Sequence, residues 1–544
     1  MTTLESRLRE TLSLAIRGGP VSVAELDTLG QGARKDLAVA LRHIRADLVE
    51  HGEVDAGRIV QRANSEGTAL SPLLADLLMF GVEDPAGAQE AALEALRPTD
   101  LWNATMFVLL HGDKVRYCDR LGGWFFFSGK RWERAQGGEV ERLAKETIRR
   151  MYEMAALEPD DTKRREMAKH ATHSEAVGRI AAMLELAKTE EGIIVPPDAF
   201  DADPWRFNVQ NGTLVIDPVR AIVELMPHNP KDMITNISPA EWRGPEAPAP
   251  IFERYLEQSA GGDKELMAFR RRLAGYALTG DMREQVFEYA YGPEAAGKGV
   301  ETRARADVMG TYARAADMAT FLRSRSEKSV RNDVAALVGA RLVTASEPQE
   351  EQAFDEGLIR MLTGQDQMST RFLFREFFQF TCGFKIRFEG NHRPHIRSTG
   401  GATWRRLLVI PFEKTVPEDQ RDKTLGEKLK SPAERAGILT WMMTGALEWL
   451  ISGLNPPEKV RAAVAEYRTA EDRLAPFLED RCEVGDSSQT TAGAIYAAYK
   501  TWCESSGERP MSQRALGLRL DEKGFARVRT HGGVRGWKGV TPLG

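Results

Sequence analysis

Apolar residues recur at spacings of three and four through residues 1 to about 95, as at Leu37, Leu41, Ile44 and Leu48. That period predicts helices, interrupted at Gly18-Gly19-Pro20. The texture changes at Thr99. In the stretch VRYCDRLGGWFFFSGKRWER (115–134), aromatic runs are split by Gly-Gly and Ser-Gly, which predicts short β-hairpins. A charged helical stretch follows from about 137 to 190. The segment WRFNVQNGTL (205–214) then predicts strand, turn and strand, with Asn211-Gly212 as the turn. Ser238–Pro250, rich in Pro and Gly, reads as a linker.

From about 251 to 455 helical stretches alternate with short apolar strands, the pattern of a parallel α/β domain. Strands are expected at 288–291, 341–347, 384–391 and 407–412, and a helix over 298–309. Pro456-Pro457 breaks the pattern, a helix is expected over 458–480, and a small unit occupies 486–544. There the order is helix, Gly507, a helix from near Ser512, then Phe525–Trp537 with Gly532-Gly533, which reads as a winged helix-turn-helix. The fold class expected is a multi-domain α/β protein. Its parts are a helical region (1–95), an α+β domain (96–245), a nucleotide-type domain (246–480) and a winged helix (486–544).

Length supports several domains, since 544 residues exceed what one core usually organises. A net charge of −5 excludes a generally basic nucleic-acid coat, so any DNA contact must be local or made by assembled subunits. The 486–544 unit is the local exception, with nine basic residues against five acidic. Cys118, Cys382, Cys482 and Cys503 form no C-x-x-C pair, which argues against a zinc or disulfide framework and fits a reducing cytoplasm. No apolar run approaches the roughly 20 residues of a membrane span, so a soluble, cytoplasmic protein is expected.

The most informative chemistry lies at Gly292-Pro293-Glu294-Ala295-Ala296-Gly297-Lys298-Gly299-Val300. Gly292 and Gly297, with Lys298 next, keep the G-x-x-x-x-G-K spacing of a phosphate-binding loop between a strand and a helix. Backbone N–H groups in such a loop wrap a β-phosphate, and the lysine neutralises its β/γ oxygens. The Ser or Thr that normally gives a hydroxyl to Mg²⁺ is replaced by Gly299. ATP hydrolysis further needs an acid, a polar group near the γ-phosphate and a cation. Glu347 and Asn391, each ending an apolar strand, fit the first two, and Arg405 or Arg406 fits the third.

These segments, in order, resemble the helicase portion of phage and plasmid primase-helicases of superfamily 3, which are AAA+ proteins. The matching stretches are GYALTGD (275–281), the loop at 292–298, LVTASEP (342–348), LIRMLTGQDQMSTR (358–371), EGNHRPHI (389–396) and WRRLLVIPF (404–412). Upstream, TDLWNA (99–104), GGWFFFSGKRWE (122–133) and NVQNGTLVID (208–217) resemble the domain that precedes the helicase in that family. Downstream, 495–525 resembles its C-terminal appendage. The resemblance implies a hexameric, ATP- and Mg²⁺-dependent ring acting on single-stranded or duplex DNA, with the nucleotide held between subunits. It also implies that Lys298 holds phosphate, Glu347 activates water, Asn391 senses the γ-phosphate, and Arg405 or Arg406 reaches in from the neighbour. A hairpin after Gly364-Gln365-Asp366, with Arg371 and Arg375 and with Arg360 before it, would face the channel. Arg514, Arg519, Arg527, Arg529 and Arg535 would contact DNA from the winged helix.

The chain departs from the family at Gly299 and at Glu301-Thr302, where apolar residues are usual. A buried charge at Glu301 costs stability unless it is paired. With no acidic pair on a strand before residue 95, a helicase without its own primase, served by a separate primase or replisome protein, is expected. The rival readings are a non-catalytic DNA-binding scaffold with a decayed loop, and a bifunctional primase-helicase. Trp124–Phe127 is expected in a core rather than stacking bases. His170 and His173 are expected at a solvated surface, for want of a further metal ligand at suitable spacing.

Overall fold

A computed structural model describes residues 99–323, 332–346, 352–364, 367–370, 378–397, 401–529 and 533–543. The helices expected before residue 95 lie outside these, as do Glu347, Arg371 and Arg375. The described residues group into two compact units, 99–112 with Glu141–Ile193 in one, and Asp113–Val140 with the chain from Ile194 onward in the other.

The first unit is helical: α1 (Asp100–His111), most of α2 (Glu139–Leu157), α3 (Asp161–Ser174) and α4 (Val177–Ala187). Asp160 caps α3 by accepting from the backbone N–H of Thr162 and Lys163, satisfying donors that a helix start leaves free. His170 is not the solvated residue expected. Its Nε2 lies 2.7 Å from the Asn103 side-chain oxygen, its ring edges onto Trp102, and burial lowers its pKa. His173, also expected at a solvated surface, follows on the same helix.

The second unit begins with β1 (Val115–Cys118), β2 (Gly123–Phe127) and β3 (Trp132–Arg134), an antiparallel meander as the aromatic pattern predicts. Phe125 is buried there, its ring tilted against that of Phe200. A second meander follows in β4 (Arg206–Val209), β5 (Gly212–Asp217) and β6 (Ile222–Met226). Val209 pairs with Gly212, so the two-residue turn is Gln210-Asn211, one position earlier than expected, and Gly212 already belongs to the strand. The segment 238–250 is no loose linker. Ser238 and Ala240 are buried, and Ser238 N–H donates to the Asn208 carbonyl at 2.9 Å.

Two helices, α5 (Pro250–Ala260) and α6 (Lys264–Leu278), lead into the main sheet. It is built from β7 (Phe287–Tyr291), α7 (Lys298–Met309), β8 (Ala313–Ala315), β9 (Leu342–Ser346), α8 (Glu356–Thr363), a hairpin of β10 (Gln367–Thr370) and β11 (Phe378–Thr381), then β12 (Lys385–Gly390) and β13 (Leu407–Pro411). The strand order is β13-β7-β12-β9-β8, all parallel. Parallel strands are covered on both faces, which is why β7, β9 and β13 read as apolar runs. Phe287, Tyr289, Val343 and Phe388 share a core with Phe354, Leu358 and Leu362 on one face. On the other, α5, α6, α7 and the long α9 (Pro432–Ser452) pack through Phe252, Ala277, Val308 and Met442.

Beyond the sheet come α10 (Glu458–Ala470) and α11 (Ala475–Arg481), two helices where a single one was expected. They lead to β14 (Cys482–Thr491), α12 (Ala492–Ser505), α13 (Gln513–Glu522), β15 (Ala526–Arg529) and β16 (Arg535–Pro542). The three strands pair antiparallel in the order β14-β16-β15, over a core that includes Phe477, Tyr499, Trp502, Leu516 and Trp537. Ser512 caps α13, matching the expected start.

Candidate functional site at the end of the parallel sheet

The loop between β7 and α7 is held open by close packing. A Cβ at Gly292 would stand 1.9 Å from the Phe412 carbonyl oxygen, so no side chain fits there. Gly297 has φ 91°, a region L side chains rarely adopt, and its carbonyl accepts from the Tyr255 hydroxyl at 2.8 Å. Gly297 also stands at the N-cap of α7 and offers no side-chain cap. The first amides of a twelve-residue helix therefore face the loop without an internal side-chain partner, and the helix dipole adds positive potential.

Into this cradle points Lys298, a buried ammonium. It donates to the carbonyls of Gly292 (2.7 Å) and Pro293 (2.6 Å) and to the Asn391 side-chain oxygen (2.7 Å). Burial lowers its pKa, and the charges of Glu389 and Glu294 oppose that shift. All three partners are neutral, so the cation is hydrogen-bonded but not neutralised by direct contact. The loop lysine and the strand-end asparagine thus meet in space, although 93 positions separate them.

Asn391 is placed by the turn that follows β12. The Tyr289 hydroxyl donates to the His392 carbonyl, and the Tyr467 hydroxyl to that of Pro394. Arg393 lies over the Tyr291 ring at 3.9 Å and bonds Glu466 at 3.0 Å, while Glu471 accepts from the Ile396 N–H at 3.2 Å. Helix α10 and the residue after it therefore clasp this turn.

Beneath the loop the structure resolves the puzzle of Glu301. It is fully buried and receives two hydrogen bonds from Arg270, one at 2.8 Å. Arg305 meets Glu288 in a two-pronged pair at 2.8 and 2.9 Å, and Arg387 joins Glu288 at 2.6 Å. Arg305 and Arg387 each stand 3.6 Å from the other Glu301 oxygen. Burial opposes ionisation of Glu301, yet Arg270, Arg387 and Arg305 hold its pKa down at about 2. Glu288 is lowered too, Arg305 and Arg387 outweighing its burial. The polar pair at 301–302 thus replaces an apolar contact by an ionic one linking α6, α7, β7 and β12. Thr302 joins it: its hydroxyl accepts from Arg387 Nε at 2.9 Å and lies 2.8 Å from Glu389.

Arg387 and Glu389 share one face of β12, and Asn391 continues their two-residue spacing into the turn beyond it. Sequence reading singled out Asn391 alone. The signal for the other two is a charge at every second position of a strand buried between helices, where apolar residues are usual.

The two candidate fingers differ. Arg406 is buried and tied to the Ala402 carbonyl (2.9 Å) and the Gln285 side chain (3.1 Å), whereas Arg405 is exposed. Arg360 is exposed on α8. The hairpin expected after Gly364 is present as β10 and β11, while its tip (371–377) lies outside the described residues. In the C-terminal part Arg514, Arg529 and Arg535 are exposed; Arg519 donates to the Arg397 carbonyl, and Arg527 pairs with Asp521 over the Trp537 ring.

The chain matches the family described as D5 N terminal like over residues 104–259, and the one described as Poxvirus D5 protein-like over residues 470–532. It is 25% identical over 264 residues to "Putative helicase L207/L206" of Acanthamoeba polyphaga mimivirus, a match covering 45% of this chain and 27% of that protein. It is 24% identical over 273 residues to "Putative helicase 022R" of Frog virus 3, covering 47% and 28%. The matches therefore span little more than a quarter of these relatives. Among solved structures, the apo NrS-1 C-terminal region aligns with a TM-score of 0.44 and 12% identity, covering 81% of this chain and all of that one.

Proposed function

We propose that this chain, which belongs to the phage and viral primase-helicase family, is the ATP-hydrolysing motor of a DNA-replication helicase that works as a ring, hexameric by family resemblance. The observation that carries this reading is the 2.7 Å bond from Lys298 to Asn391 across a loop that no side chain at Gly292 could enter. The strand order β13-β7-β12-β9-β8, with the loop leaving β7, suits an AAA+ motor, whose domain we take as 246–480.

In this reading the loop amides and Lys298 hold the β- and γ-phosphates, and Lys298 exchanges its two carbonyl contacts for phosphate oxygens. Glu347, the residue after β9, orients the attacking water, and Asn391 contacts the γ-phosphate. Arg405 reaches the site of a neighbouring subunit, a role that needs an exposed guanidinium; Arg406, fastened within its own chain, positions the start of β13. Mg²⁺ arriving with the nucleotide supplies charge neutralisation. Gly299 contributes no hydroxyl to it, and the carboxylates whose charges act on Lys298 are Glu389 and Glu294. Arg360, Arg371 and Arg375 track DNA phosphates in the channel. The 486–544 unit acts as a winged helix that meets DNA through Arg514, Arg529 and Arg535, joined by Arg519 and Arg527 once their internal bonds are released.

The test is ATP hydrolysis with and without single-stranded DNA, alongside the mass of the assembly. DNA-stimulated hydrolysis that Lys298→Ala abolishes is the expected result. A protein that binds DNA and hydrolyses nothing would favour the scaffold reading, whose sequence support is Gly299 and Glu301.

A further inference from the structure

Glu389 has no part in the motif that identifies the loop, yet it occupies the most consequential position beside it. It lies near the end of β12, two residues before Asn391, and directly opposite Ser346 in the parallel register with β9. One carboxylate oxygen sits 2.8 Å from the Thr302 hydroxyl, one turn along α7 from Lys298. The other has no hydrogen-bond partner among the described residues. The side chain is only partly buried, unlike the buried carboxylates of Glu288 and Glu301 in the ionic network. Its charge reaches both Lys298 and Arg387.

A carboxylate in that place is electrostatically wrong for a bare polyphosphate. Like charges a few ångströms apart repel, and the partly excluded solvent at the base of the loop screens them poorly. The conflict disappears if a divalent cation stands between carboxylate and phosphate. The same chain lacks the hydroxyl that ordinarily binds that cation, because position 299 is glycine. One departure therefore answers the other.

We propose that Glu389 anchors the nucleotide-bound Mg²⁺, directly or through a water ligand, in place of the absent hydroxyl at 299, with Thr302 fixing the orientation of the carboxylate. This rests on the nucleotide site proposed above and names the protein group that holds its metal. An outer oxygen ligand suits Mg²⁺, which keeps several waters and takes few carboxylates. Thr302 orients rather than ligates, since its hydroxyl already receives Arg387 Nε and donates within the site.

The experiment is binding of fluorescent mant-ADP to the full chain, in Mg²⁺ and in EDTA, for the wild type, Glu389→Gln and Glu389→Gln/Gly299→Ser. Gln keeps an oxygen to accept from Thr302, so folding is preserved, which a melting curve checks. The expected result has opposite signs in the two buffers. Glu389→Gln binds more tightly than wild type in EDTA, while the gain that Mg²⁺ confers falls by about tenfold or more, the effect of losing a ligand-positioning group. Adding Ser at 299 restores the gain; the added Cβ meets only the mobile end of Arg303, at 2.8 Å. Mn²⁺ titration followed by EPR on the nucleotide complex should show the same loss and recovery.

An unchanged Mg²⁺ gain in Glu389→Gln overturns the proposal. So does an equal loss in both buffers, which would mark Glu389 as a counter-ion to Arg387. A wild type that binds mant-ADP in neither buffer would remove the nucleotide site itself, whereas failure of the Glu389 variants alone leaves that site standing.

Discussion

Lys298 and Arg305 lie two turns apart on one helix, and both are buried cations. Their partners differ in kind. Arg305 is neutralised by a two-pronged contact with Glu288 and, with Arg270, Arg387 and Glu301, closes a five-residue ionic cluster. Lys298 contacts two carbonyls and an amide, all neutral. On the function proposed above, the difference separates structural charge from charge held for a ligand. A buried cation matched by carboxylates has its desolvation offset within the fold, while one that is only solvated by dipoles stays electrostatically incomplete until an anion arrives.

Breaking the ionic cluster should have the largest effect. Glu301→Ala leaves Arg270 buried without its carboxylate, and a loss of about 3–5 kcal/mol is expected from urea unfolding of the sheet unit. Replacing Arg270 by Met and Glu301 by Leu together should recover most of that loss, as removing a whole buried pair often does. Lys298→Ala should behave in the opposite way. Hydrolysis should fall by about 10²–10³-fold, as when a transition-state donor is removed, while the urea midpoint moves little.

The two charges also act on stability in separate pH windows, one acidic and one alkaline, each raising it as the pH climbs. With its carboxyl held at about 2 against an ordinary 4.5, Glu301 contributes stability in full above pH 4.5 and loses it as the pH falls towards 2. Glu301→Gln should flatten that acid limb. Lys298 has its pKa lowered from 10.5 by burial, so its charge opposes folding below the lowered value, and stability rises as the pH climbs towards 10.5. Lys298→Met should remove that alkaline rise, which thermal melts across pH would detect.

The same contrast extends to Arg405 and Arg406. Arg406→Ala removes buried hydrogen bonds and should cost about 1–3 kcal/mol. Arg405→Ala should stay within about 0.5 kcal/mol of wild type in stability yet lower hydrolysis in the assembled protein, and mixing it with Lys298→Ala subunits should restore part of the activity. Smallest of all, Arg514→Ala should reduce the salt slope of DNA binding by about one, without touching hydrolysis in the absence of DNA.

Much of the sheet was legible because parallel strands buried on both faces carry long apolar runs, and Gly292, Gly297 and Lys298 have a spacing that backbone geometry imposes. The hairpins at 115–134 were legible through their aromatic runs. The Gln210-Asn211 turn was misplaced by one residue because Asn-Gly is the stronger local turn signal, while cross-strand register chose Gly212 as a strand residue. The segment 238–250 looked like a linker because Pro and Gly mark irregular backbone and say nothing of burial. Glu301 read as a defect, since a sequence displays a charge without its partners, and its partners sit on α6, α7 and β12 at positions 270, 305 and 387.

By itself the sequence determined the order of elements, the loop and the residues able to meet a phosphate, because these follow from local periodicity and from spacing within a single turn. Only the tertiary structure decided which charges are neutralised and which stay open. It set Asn391 against Lys298, Arg305 against Glu288 and Glu389 beside Thr302, since electrostatic partnership depends on distance in space across strands and helices that the chain visits far apart.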